Sequence, residues 1–337
     1  MTKKSDGARA SARRGRAAKA PAEVPAAGRF DGPALPMGRS GARHPPIGLG
    51  LWALGRWYPD DEERTRNVLQ HALGRRIPWV DTAEVYGAGR SERILGDALA
   101  RGADGASRPF LSTKVSWEHL RAAQVRAALI GSRHRLGVER IDLYLVHAPD
   151  PHVPIAETMA AMEAVWKEGH VSSIGVSNFS VEELEAARGA LSEAEIAVNQ
   201  VRFNLFERED AEPVLEYCRQ HRIVVEAYTP TARGLLAGRF LTGRGPAKSD
   251  PRHGRGIFDA ERFPTYQKRA LELDALAREA GVPMLSLALH YLTRVGAAPV
   301  FGASTAEQFD EVLDAWGRRP TDEVLDRADR IARGDGR

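Results

Sequence analysis

Apolar runs recur near residues 46–53, 77–83, 110–116, 141–148, 172–178, 196–202, 223–229 and 298–304, several of them rich in Val and Ile. Short apolar runs bounded by turn residues predict buried strands. Between most of them the apolar positions fall three and four apart, the spacing of a helix with one buried face. Examples are EERTRNVLQHAL, SERILGDALA, QVRAALIGSRHRL, AETMAAMEAVWKEG, VEELEAARGAL and AEPVLEYCRQH. Strand and helix in alternation predict a parallel sheet, because a parallel neighbour needs a crossover. Eight such strands in a chain of 337 residues favour a closed (β/α)8 TIM barrel over an open sheet.

Three segments stand outside this rhythm. LPMGRSGARHPPIGLG, from residue 35, predicts a small N-terminal hairpin with Gly38 and Gly41 as its turn residues. Residues 232–265, Gly- and Arg-rich and poorly periodic, fill part of the longest gap between runs. So long a stretch predicts a functional loop or lid at the mouth. After the last run, AEQFDEVLDAW and TDEVLDRADRIA predict C-terminal closing helices.

Charge divides the chain at its beginning. Residues 1–20 carry seven Lys or Arg and one Asp, so the overall net charge of +3 comes from this segment. With few apolar side chains to offset ordering entropy, residues 1–32 are expected to form a disordered basic tail, leaving 33–337 as one barrel domain. Such a tail suits contact with nucleic acid or anionic lipid, although a purely solvated extension is the simpler expectation. It lacks the apolar core of an export signal. No stretch of about 18 apolar residues is present, which argues against a membrane span. The single cysteine, Cys218, excludes an internal disulfide and suits a reducing, cytoplasmic location.

The candidate chemistry lies at the ends of three neighbouring runs. Asp81 ends the second, Tyr86 follows in its loop, Lys114 ends the third and His147 ends the fourth. Each alone has an ordinary explanation: a helix cap, a packing ring, an edge charge, a core histidine. In a barrel of this kind, however, the strand C-termini build one mouth, so the four converge. A phenol beside an ammonium, a carboxylate and an imidazole is equipped to donate a proton.

The strings DTAEVYG, STK, LVHAPD, GVSNFS, VNQV and GASTAEQ, in that order, resemble the successive motifs of the aldo-keto reductases over roughly residues 33–332. The resemblance implies a (β/α)8 barrel that moves hydride between a nicotinamide cofactor and the carbonyl of an aldehyde or ketone. By position it implies Tyr86 as general acid, Lys114 paired with Asp81 lowering the phenol's pKa, and His147 orienting the carbonyl. It further implies Ser177, Asn178 and Gln200 at the cofactor's carboxamide and Tyr228 stacked on the nicotinamide. Gly302, Ser304 and Thr305 would meet the phosphates, with Thr305 and Gln308 forming a capping box. Where many relatives carry Lys, Arg and Asn around the adenosine, this chain has Gly302, Gln308 and, after Glu311, Val312. NADPH is the expected cofactor and NADH the alternative, with Arg233 able to restore a phosphate contact. Trp52 and Trp117, and with them Trp57 and Tyr58, are candidate walls of the substrate pocket. The same residues would serve a sugar or alcohol dehydrogenase working in the oxidising direction, or a cofactor-binding regulatory subunit. GLGLWA at 48–53 also fits a dinucleotide fingerprint, but its glycines lie inside a strand rather than after one.

Overall fold

The computed structural model describes residues 30–39, 41–52, 62–101 and 108–335. The tail expected at 1–32 lies outside the described residues as far as 29. Phe30 packs against Phe301 and Phe309, and the Asp31 carbonyl accepts from the Trp316 indole at 3.0 Å.

Strands β1 (Leu35–Met37) and β2 (Ala42–His44) form the expected antiparallel hairpin, with Gly38 and Gly41 at positive φ in its turn. Then β3 (Gly48–Gly50), β4 (Trp79–Asp81), β5 (Phe110–Val115), β6 (Ile141–Val146), β7 (Val171–Ser177), β8 (Ile196–Arg202), β9 (Val224–Tyr228) and β10 (Ala297–Phe301) close a parallel barrel in chain order. All eight expected strands are present. Around it pack α1 (Glu62–Gly74), α2 (Arg90–Ala100), α3 (Ala122–Leu136), α4 (Ile155–Lys167), α5 (Val181–Gly189), α6 (Ala211–His221), α7 (Phe263–Glu279), α8 (Met284–Arg294), α9 (Ala306–Gly317) and α10 (Asp322–Arg333). The last two are the closing helices, started by Thr305 and Thr321, whose hydroxyls accept from the first-turn amides of Gln308 and Val324.

Two cores hold the barrel. One lies between sheet and helices. The other fills the interior with Trp79, Leu143, Leu145, Val198, Val224, Ala298 and Val300, and Met37 of the hairpin joins it from below. The hairpin is therefore the barrel floor. Gly48 is required there: a Cβ would lie 2.1 Å from the Trp79 ring. The glycines of GLGLWA thus serve packing inside β3.

The stretch expected as a single long loop at 232–265 is more ordered than its composition implies. It carries 3-10 turns at Ala232–Ala237 and Gly256–Phe258 and buries Leu235, Leu236, Ile257 and Phe258. Phe258 packs on Phe240 and Phe263, and the Arg252 guanidinium covers the Phe240 ring at 4.9 Å. These few aromatic anchors are too widely spaced to register as a helix or strand period. Among the described residues no helix is long and apolar enough to cross a membrane.

Candidate active site

Asp81 and Lys114 emerge on neighbouring strands inside the barrel mouth. The Lys114 ammonium, fully buried, donates to Asp81 Oδ2 at 2.6 Å and to the Thr82 carbonyl at 2.9 Å. Asp81 Oδ1 accepts from Ser112 Oγ at 2.7 Å, and Ser112 in turn accepts from the Trp79 indole at 2.8 Å. A buried charge persists only when paired and hydrogen-bonded, and this pair is both.

Tyr86 lies above it, its ring centre 5.2 Å from the Lys114 ammonium and 5.6 Å from the His147 ring, edge to face. Burial pushes the phenol up to about 12 against the opposing pull of Lys114. Lys114 pulls the phenol down, as expected, but desolvation outweighs it, so the net shift is upward. The phenol is consequently fully protonated at neutral pH. Burial, then the Lys114 charge, pushes His147 down to about 3, so its imidazole is neutral. Its Nδ1 is buried without a hydrogen-bond partner among the described residues.

The expected carboxamide residues lie on the next strands. A register shift between Ile174 and Val176 leaves Ser177 opposite Gln200. Ser177 Oγ donates to the Gln200 carbonyl at 2.8 Å. Asn178, left-handed at φ 62°, donates from Nδ2 to the His147 carbonyl at 2.9 Å and to Ser177 Oγ at 3.0 Å. Its Oδ1 accepts from the Tyr228 hydroxyl at 2.8 Å. The Arg202 guanidinium lies 5.8 Å from the Tyr228 ring centre.

The remaining residues form an outer group. Ser304 N–H donates to Gln308 Oε1 at 2.9 Å, and Gln308 N–H to Thr305 Oγ1 at 3.3 Å. The expected capping box is thus shifted: Gln308 reaches one residue before the cap. The first-turn amides of Ala306 and Glu307 have no acceptor within the helix. Glu307 is held below the usual carboxylate range by the Thr305 hydroxyl and its own N–H. Arg239 approaches Glu311 at 3.8 Å, while Arg233, left-handed at φ 56°, donates to the Arg255 carbonyl at 3.4 Å. Gly302 ends the strand side of this group.

Trp117, half exposed, packs edge-on against His147 at 5.5 Å and so stands at the mouth. Trp52 is similarly exposed just after β3. Trp57 and Tyr58 lie outside the described residues. Two polar residues that the sequence reading passed over also belong to the interior. Glu226 of β9 and His44 of the hairpin are buried and paired at 2.9 Å. The available signal was an acid at an inward position of the apolar run VVEAY.

The Aldo/keto reductase family model matches residues 46–333. Aldo-keto reductase YhdN of Bacillus subtilis is 34% identical over 284 residues, covering 80% of this chain and 85% of that protein. The glycerol dehydrogenase AKR11B4 of Gluconobacter oxydans superposes with a TM-score of 0.78 at 31% identity, over 88% of this chain and 94% of that one. An aldo/keto reductase of Klebsiella pneumoniae, solved with NADP and acetate, gives 0.69 at 27% identity, over 89% and 95%.

Proposed function

Since the chain belongs to the Aldo/keto reductase family, we propose that it uses NADPH to reduce the carbonyl of an aldehyde or ketone, with Tyr86 as the proton donor. The observation that carries this reading is the buried Asp81–Lys114 pair beside a fully protonated phenol. The nicotinamide, when bound, supplies the hydride.

The chain's own residues do the rest. Tyr86 releases its proton to the carbonyl oxygen, and the adjacent ammonium stabilises the phenolate left behind. Asp81 holds that ammonium in place and keeps the buried charges balanced. His147, neutral, offers a ring nitrogen to the same oxygen and orients it. The residues fit a carboxamide: Ser177 Oγ and Asn178 Oδ1 each keep a lone pair unspent after the contacts above. Tyr228 offers its ring face. The first-turn amide of Ala306 in α9, which has no acceptor within the helix, suits a phosphate. The NADP-bound Klebsiella relative supports NADPH, and Arg239, 3.8 Å from Glu311, brings a positive charge to the outer group.

Trp117 and Trp52 suggest an apolar or ring-shaped carbonyl compound, acted on as a primary or secondary alcohol couple. The likeness to a glycerol dehydrogenase supports a second reading, in which the same groups oxidise a polyol. We also assign a cytoplasmic setting, consistent with a lone Cys218 whose thiol burial pushes up to about 12. Turnover of a carbonyl and alcohol panel in both directions with NADPH and NADH tests these statements. Reduction with NADPH is expected to dominate; no turnover in either direction would leave only the regulatory-subunit alternative.

A further inference from the structure

We propose that Glu226, held by His44, is a positioning residue that fixes the Gln200 amide with its oxygen turned toward the cofactor's carboxamide. This rests on the cofactor reading above and extends it to the barrel floor. Gln200 and Glu226 are direct partners across β8 and β9, both buried inside the barrel. Gln200 Nε2 donates to Glu226 Oε2, and to Asp81 Oδ1 at 3.3 Å. A side-chain amide has two N–H groups, so both are spent on carboxylates. Turning the amide over would set its oxygen against two acceptors.

This orientation requires Glu226 Oε2 to be an acceptor, and His44 ensures it. The His44 Nδ1 faces the Pro45 carbonyl at 2.7 Å, and a carbonyl accepts only, so Nδ1 carries a hydrogen. Its Nε2 meets Glu226 Oε1 at 2.9 Å, with both side chains fully buried. One proton must lie in that contact, on the imidazole or on the carboxyl. In either case it sits at Oε1 and leaves Oε2 free to accept. The hairpin therefore dictates the orientation of an amide two strands away.

Gln200 Oε1 accepts from no described residue. Together with the unspent lone pairs of Ser177 and Asn178, it presents a wall of acceptors. Such a wall recognises an amide N–H. A cofactor in which a methyl ketone replaces the carboxamide offers none, and should bind less well.

Fluorescence titration of the full chain with NADP and its acetylpyridine analogue reads this directly, without turnover. The native protein is expected to prefer NADP by roughly five- to tenfold, the worth of one hydrogen bond. In H44F/E226L, which leaves no unpaired polar group in that pair, Gln200 keeps only the longer Asp81 contact at 3.3 Å, its amide is no longer fixed, and the preference should fall below about twofold on the same scale. A merely structural role would weaken both ligands alike and keep the ratio; that result overturns the proposal. So would equal affinities in the native protein. If the native protein binds neither ligand, the cofactor reading itself fails. Should H44F/E226L not fold, E226M, which likewise gives Gln200 no acceptor at that position, decides by the same ratio.

Discussion

Lys114 and Asp81 meet at 2.6 Å on adjacent strands with neither side chain exposed, directly beneath the Tyr86 ring. The contact has two consequences. It keeps a full positive charge where water is scarce, and it makes each partner dependent on the other. Removing either one leaves the remaining charge buried and alone.

Lys114→Met should therefore destabilise the fold by about 3–5 kcal/mol, the cost of breaking one side of a buried pair. The double variant D81N/K114M should recover much of that loss while staying inactive. Chemical denaturation of the three proteins checks this. A single variant as stable as the native protein would mean the pair is not desolvated as described.

Tyr86→Phe keeps the ring and its contact with His147 but removes the proton. Reduction is expected to fall by about 10²–10⁴, the usual worth of general acid catalysis, with NADPH affinity unchanged. Steady-state rates and a fluorescence titration read the two separately. Retention of most of the turnover would remove Tyr86 from the mechanism.

The pH profile follows from burial. Burial pushes His147 down to about 3 and Tyr86 up to about 12, so neither changes state in the neutral range. The kcat/KM of the free enzyme should be flat from about pH 5 to about pH 9 as far as these groups act, and an ionisation near neutrality abolished by His147→Gln would contradict this. Stability has a definite sign. Unfolded, His147 binds a proton as pH falls through the usual histidine value; folded, it resists until about 3. Its contribution is complete above the unfolded value and is lost progressively as pH drops toward 3. H147Q should accordingly lose less stability than the native protein on acidification, measured as melting temperature against pH.

Gly48→Ala would place a Cβ 2.1 Å from the Trp79 ring, in a floor layer already filled by the hairpin. Overpacking of this kind costs about 1–3 kcal/mol, and more where the neighbour cannot move. Thermal melts should show the loss. A dinucleotide-binding role for this glycine would instead appear as weakened cofactor affinity in a protein of normal stability.

The strands were legible because each is an apolar run with turn residues on either side, and strand order followed from the single alternation of run and helix. The helices α7 and α8 went unread behind the Gly-rich segment, although LELDALARE and MLSLALHYL carry helical spacing. The proposed catalytic quartet could be named because strand-end position is a one-dimensional property. Gln308 was expected to close a box with Thr305, and the pattern of residues could not tell that its side chain reaches Ser304 instead. A one-residue difference in reach is decided by backbone direction at the helix entry.

From its residues alone the chain determined that eight strands close a barrel and that Asp81, Tyr86, Lys114 and His147 arrive at one rim, because periodicity and strand ends are written in linear order. Only the tertiary structure decided the balance of burial against charge that sets Tyr86 high and His147 low. It alone brought His44 of the hairpin against Glu226, 182 residues further on. Desolvation and long-range pairing depend on what surrounds a group on every side, and linear spacing does not carry that information.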